Sequence, residues 1–181
     1  MYKDVIKPTL VLIIISVIVS GLLAFTYNIT GVGELGNGIV QADLDTYVTE
    51  VLPEGSKLVL SETDVVDDAL LGIYKDESQK GVAIHLITKG YGGEMKMLVG
   101  LDKEGKVTGA KVLETSETPG LGTKIENPDF IAKYIGKSKT VALTKDGGEI
   151  DGITGATISS RAFTAGVNKA FEIFEQIKGD L

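Results

Sequence analysis

The residues best suited to chemistry lie close together, in the segment DGITGATISSRA at positions 151–162. Gly152 and Gly155 permit backbone shapes that aim successive N–H groups at one spot, and Thr154, Thr157, Ser159 and Ser160 add hydroxyls around it. A helical pattern begins directly afterwards, so its positive dipole end faces the same place. Such a combination suits a phosphate. Arg161, the only Arg in the chain, falls in the first turn of that helix, where a cation opposes the dipole unless an anion is bound. The same residues also read as a Gly-containing loop with a Ser N-cap, and on physics alone both readings stay open.

A second segment, ETPGLG at 117–122, reads first as a turn: Pro119 presets φ at one central position and Gly120 allows a positive φ at the next. Gly122, without a side chain, would let backbone approach a flat ligand, and Leu121 could cover it. Other residues carry weaker signals. His85 sits in a strand-like run and reads as structural, since one His makes no metal site. Asp64, Asp67 and Asp68 lack the Gly and terminal Glu of a calcium loop and read as a solvated acidic face. Tyr91, in KGYGG, reads as a turn residue that could alternatively stack on a flat ring.

Composition removes whole classes of function. Among 181 residues there is no Cys and one His, which excludes disulfides, thiolate zinc, iron–sulfur clusters, and both Cys-linked and bis-His haem. With 18 Lys and Arg against 25 Asp and Glu, a net charge of −7 offers no footprint for nucleic acid.

The elements that must position these segments follow from hydropathy and spacing. Residues 9–27 carry no charge, and 19 residues at ~1.5 Å each match the ~30 Å hydrocarbon core, so a membrane-spanning helix is expected over 8–27. A cleaved secretory leader shares the pattern, but its apolar region is normally shorter and no Ala-x-Ala follows. Lys3 and Lys7 flank the near end, whereas Glu34, Asp43, Asp45, Glu50 and Glu54 precede the first far-side cation, Lys57. The positive-inside bias therefore puts residues 1–7 in the cytoplasm and the C-terminal domain outside, as a single-pass protein of the cytoplasmic membrane. A Gly-rich juxtamembrane linker is expected over 28–42, and one domain over 43–181.

Within that domain the pattern predicts a short helix at 43–52 and strands at 58–60, 70–74, 81–88, 95–101 and 107–113. Turn signals separate the strands, as in an antiparallel meander. A helix at 130–135, a strand at 141–144, and a final helix from Arg161 to Lys178 capped by Ser159 or Ser160 complete an α+β class.

Asp151-Gly152-Ile153-Thr154-Gly155-Ala156-Thr157 resembles the flavinylation motif Asp-x-x-(Ser/Thr)-Gly-Ala-Thr. In that family a flavin transferase joins the phosphate of FMN to the last Thr. The resemblance implies covalent FMN on Thr157 through a phosphoester, with Asp151 and Thr154 recognised by the transferase and Gly155 and Ala156 leaving it room. Glu117, Thr118, Pro119, Gly120, Leu121 and Gly122, some 30 residues earlier, complete a paired signature of FMN-binding subunits in ion-pumping respiratory complexes. Through it Ser159, Ser160 and Arg161 also become cofactor-binding candidates, with no catalytic residue and no metal site. The chain looks most like the G subunits of Rnf complexes, ferredoxin:NAD+ oxidoreductases coupled to Na+ or H+ transport. It is similar at the same motifs to the C subunits of Na+-translocating NADH:quinone reductases, which are usually longer. Implied partners are iron–sulfur-bearing membrane subunits, a second FMN-bearing membrane protein of the complex and the flavin transferase. A non-redox module that binds a phosphorylated ligand reversibly is the alternative from another class.

Overall fold

The computed structural model describes residues 2–29, 41–53, 55–62 and 64–180. Most of the expected 28–42 linker, from 30 to 40, lies outside the described residues. The chain divides into two units, one holding the first helix and the other everything from Gly38 onward.

Helix α1 runs Tyr2–Ile29. Its stretch Thr9–Thr26 has mean hydropathy 2.6 and is exposed throughout, as a helix that is apolar all round must be unless protein or lipid surrounds it. Near its end, Thr26 Oγ1 donates to the carbonyls of Leu22 and Leu23 at 3.0 and 2.9 Å. Such a helix is long and apolar enough to cross a membrane.

The second unit begins with α2 (Gln41–Val51) and continues through β1 (Leu58–Ser61), β2 (Leu70–Asp76), β3 (Gly81–Lys89), β4 (Glu94–Asp102) and β5 (Val107–Thr115). The five strands pair antiparallel in chain order, which is the expected meander. A short helix α3 (Pro128–Ile131) and the long α4 (Thr157–Ile177) follow.

Alternation along the strands separates two apolar faces. Val82, Ile84 and Leu86 of β3 and Met97 and Val99 of β4 pack under Phe163, Val167, Phe171 and Phe174 of α4. Burying each of these large side chains contributes about 1.5–3 kcal/mol. Ala83 and Leu98 point the other way, against Val48, Val51 and Leu52. The end of α2 lies directly on the sheet because Gly100 and Gly109 are paired across β4 and β5. A Cβ on either would run into the carbonyl of Val51 or Glu50. Thr108 Oγ1 then donates to the Val51 carbonyl at 2.5 Å.

Three local expectations give way to tertiary structure. The helix expected at 130–135 is only the turn Pro128–Ile131 followed by further turns, held by edge contacts of Phe130 with Tyr134 and Phe163 at 5.4 Å between ring centres. The strand expected at 141–144 is a single parallel bridge, Leu143 to Ile150, leading into a 3-10 turn at Thr144–Asp146. Its apolar residues pack on α4 instead, where Asn168 Nδ2 and Oδ1 bond the carbonyl and N–H of Val141. Finally, α4 starts at Thr157, a turn earlier than expected, and neither Ser159 nor Ser160 is its N-cap.

Candidate functional site

Both motifs converge on the start of α4. The Glu117–Gly122 segment forms the expected turn: the Thr118 carbonyl accepts from the N–H groups of Leu121 (3.2 Å), Gly122 (2.9 Å) and Thr123 (3.3 Å), and Gly120 takes φ +73°. The 151–157 loop closes beside it, with Gly155 at φ +81°. Between them is a cavity of about 510 Å3. Glu117, Thr118, Leu121 and Gly122 line one wall, and Gly155, Ala156, Thr157 and Ser159 line another. Pro119 and Gly120 shape the turn without lining the cavity, and Asp151, Thr154, Ser160 and Arg161 are not part of its lining either. A larger hollow of about 600 Å3 lies between the β1–β2 edge and the end of α4, and contains none of the motif residues.

The four hydroxyls of the 151–162 segment have different occupations. Ser160 Oγ donates to the Ala156 carbonyl at 2.9 Å and accepts from the Ile153 N–H at 3.0 Å, closing the loop onto the helix. Ser159 Oγ donates to Glu117 Oε2 at 2.8 Å, joining the two motifs. Thr154 is exposed. Thr157 is half-buried on the cavity wall, and its hydroxyl accepts from Lys145 Nζ at 3.3 Å.

Glu117 organises the site. Buried to 5% exposure, its carboxyl also accepts from the Tyr91 N–H through Oε1 at 2.6 Å. The glycines around it make the space. A Cβ on Gly122 would sit 2.5 Å from Glu117 Oε2, and one on Gly90 would overlap Oε1. Gly122 thus admits the Glu117 carboxyl, which is a different use of its missing side chain from the ligand approach that spacing suggested.

Three cavity residues carried too weak a signal in the sequence to stand out as site residues. Tyr91 is 69% exposed and lines the cavity, although KGYGG by itself reads as a turn. Ile158 lines it from the exposed side of α4, where an apolar residue in the first turn was the available signal. Lys145, in the 3-10 turn, left no signal, because its approach to Thr157 depends on how the chain folds back. Arg161, expected to face a phosphate, instead makes a two-pronged ion pair with Asp146, Nε to Oδ2 at 2.8 Å and Nη2 to Oδ1 at 2.5 Å. That pair holds the Asp146 carboxyl below the usual carboxylate range.

The lining suits FMN. A hydroxyl beside a cation stands at one side, and Tyr91, Leu121 and Ile158 supply apolar and aromatic surface at the mouth. These are the surfaces that a group with an anionic phosphate and a flat apolar ring requires.

The chain is similar to known proteins. An FMN-binding domain family matches residues 90–172, from the Tyr91 hairpin through most of α4. The G subunit of the Na+-translocating ferredoxin:NAD+ oxidoreductase complex of Acetobacterium woodii is 32% identical, over 97% of this chain and 94% of that one. The G subunit of the ion-translocating oxidoreductase complex of Shewanella oneidensis is 36% identical, a match spanning 64% of this chain and 59% of the relative. The fold is shared with the crystal structure of the C subunit of a Na+-translocating NADH-quinone reductase from Parabacteroides distasonis, with a TM-score of 0.51 at 21% identity over 78% of this chain and 85% of that one. With near-complete coverage of the Acetobacterium relative, an FMN-binding domain across both motifs, and an apolar helix before it, this chain belongs to the family of G subunits of ion-translocating oxidoreductase complexes.

Proposed function

We infer that this chain is the G subunit of an Rnf-type ferredoxin:NAD+ oxidoreductase coupled to Na+ or H+ translocation, relaying electrons through FMN esterified to Thr157. The observation that carries this reading is the meeting of the two motifs at one cavity, with the Thr157 hydroxyl on its wall. FMN supplies acceptance and return of one or two electrons, which suits exchange with iron–sulfur clusters and other flavins. The chain's own residues bind and orient. Thr157 is the attachment hydroxyl, and Asp151 and Thr154, both exposed, are available for recognition by a flavin transferase. Gly155 and Ala156 shape the approach, while Glu117 fixes the Thr118–Gly122 turn and the Tyr91 loop around the ring site.

Helix α1 is the membrane anchor, and Lys3 and Lys7 support a cytoplasmic N-terminus with the FMN domain on the extracytoplasmic side. An ester is useful there, since a reversibly bound cofactor would be lost by dilution outside the cell. The partners are the iron–sulfur-bearing and FMN-bearing membrane subunits of the complex. Membership of the NADH:quinone reductase C subunits is the less supported reading, because that likeness is one of fold at 21% identity.

In-gel fluorescence of the denatured full chain, produced together with a flavin transferase, tests the proposal. A flavin band that disappears in Thr157→Ala is expected. A dark wild-type band would favour reversible binding of a phosphorylated ligand, and a band persisting in Thr157→Ala would move the attachment to another hydroxyl.

A further inference from the structure

We propose that Lys145 is the cation that pairs with the phosphate on Thr157, and that the Asp146–Arg161 ion pair positions it. This rests on the covalent-FMN reading and assigns the charge partner that the attachment motif itself does not contain.

A phosphate diester carries one negative charge, and the cavity wall that would receive it also holds the carboxyl of Glu117. A compensating cation is therefore needed close to Thr157. Among the described residues that line the cavity, Lys145 is the only cation, with Nζ 3.3 Å from Thr157 Oγ1. The phosphorus would be bonded to that oxygen, so its free oxygens fall within the sweep of the flexible ammonium. Arg161 does not compete, because Asp146 holds its guanidinium through both Nε and Nη2.

The placement of Lys145 is built rather than incidental. On its N-terminal side the Thr144 N–H donates to the Ile150 carbonyl at 2.9 Å. On its C-terminal side the turn ends at Gly147, φ +85°, whose N–H returns to the Thr144 carbonyl at 3.2 Å. Asp146, the next residue, is then tied to Arg161, one turn after Thr157 on the same helix. The Lys145 backbone is thus referenced to the helix that carries the hydroxyl. Arg161, one turn into α4, serves as a positioning residue, its guanidinium committed to Asp146.

The test compares full-length wild type made with a flavin transferase and the same protein made without it. Both are treated briefly with an acetylating reagent, and Lys145 acetylation is read by peptide mass spectrometry against the exposed Lys103. The expected result is several-fold slower acetylation of Lys145 in the flavin-loaded protein, with Lys103 unchanged. In loaded Asp146→Asn the protection of Lys145 should weaken. In loaded Lys145→Gln the phosphorus NMR resonance should move, and Lys145→Arg should bring it back. Equal Lys145 reactivity with and without flavin, or an unmoved resonance in Lys145→Gln, overturns the assignment while leaving covalent FMN intact. A wild type that never gains covalent flavin overturns both.

Discussion

Ser159 donates its hydroxyl hydrogen to Glu117 Oε2 at 2.8 Å, a bond that spans 42 positions of chain and fastens the two site motifs together. Both residues are buried, at 2% and 5% exposure, so the bond is made away from competing water. The other carboxyl oxygen holds the Tyr91 N–H. One side chain therefore sets the spacing of three site segments: the β3–β4 hairpin tip, the Thr118–Gly122 turn and the first turn of α4.

Glu117→Ala should accordingly destabilise the outer domain, since it leaves the part-buried Tyr91 N–H and the buried Ser159 hydroxyl without an acceptor. At about 1–3 kcal/mol for each orphaned group, a total of about 2–6 kcal/mol is expected. Glu117→Gln keeps the shape and one good acceptor and should cost less than half as much. Thermal unfolding of the detergent-solubilised chain, followed by circular dichroism, checks both. A neutral Glu117→Ala would show that the three segments hold their positions without it.

Gly122→Ala should act through the same carboxyl, because the added Cβ would lie 2.5 Å from Glu117 Oε2 and 3.1 Å from Ser159 Oγ. Its cost, about 1–3 kcal/mol for overpacking, should not add to that of Glu117→Ala. Additive losses in the double variant would place the strain elsewhere.

His85 predicts a pH dependence. It is 3% exposed on the α2 side of β3, and neither ring nitrogen has a hydrogen-bond partner among the described residues. Burial first, and the nearby Lys96 charge second, push its pKa down from 6.5 to about 4. The unfolded chain then binds a proton between those values that the folded chain refuses, so stability rises with pH through that window and falls as pH drops from 6.5 towards 4. The loss reaches on the order of 3 kcal/mol at the lower end. His85→Leu should remove this component, visible as a difference between the two proteins' urea midpoints that grows from about pH 7 to about pH 4. A constant difference would contradict the assignment.

Gly100→Ala should loosen α2 from the sheet. The added methyl would overlap the Val51 carbonyl and crowd Thr108 Oγ1, both parts of the contact that seats the helix end. A cost of about 1–3 kcal/mol is expected. Amide hydrogen exchange should rise first in α2 and at the β5 edge, while α4 on the opposite face keeps its protection.

Features whose physics is local could be read from the chain directly. A run without charges over 9–27 can only be a helix apolar on every side, and the Asp-Glu-Ser, Gly-Tyr-Gly-Gly and Asp-Lys-Glu-Gly breaks mark where the meander turns. Pro119 and Gly120 likewise specify their turn through φ alone. Folding in three dimensions settled what depends on partners distant along the chain. Val141 and Leu143 look like a strand, but among the described residues they meet no strand edge beyond the bridge of Leu143 to Ile150, and burial against α4 took precedence over β-propensity. Ser159 and Ser160 look like caps, yet Glu117 and the 153–156 loop offered them buried bonds inside the helix. The charges at the site were exchanged for the same reason. Arg161 is near Thr157 in sequence, but its planar fork found a matching carboxylate in Asp146, and that pairing put Lys145, twelve residues away, beside the hydroxyl.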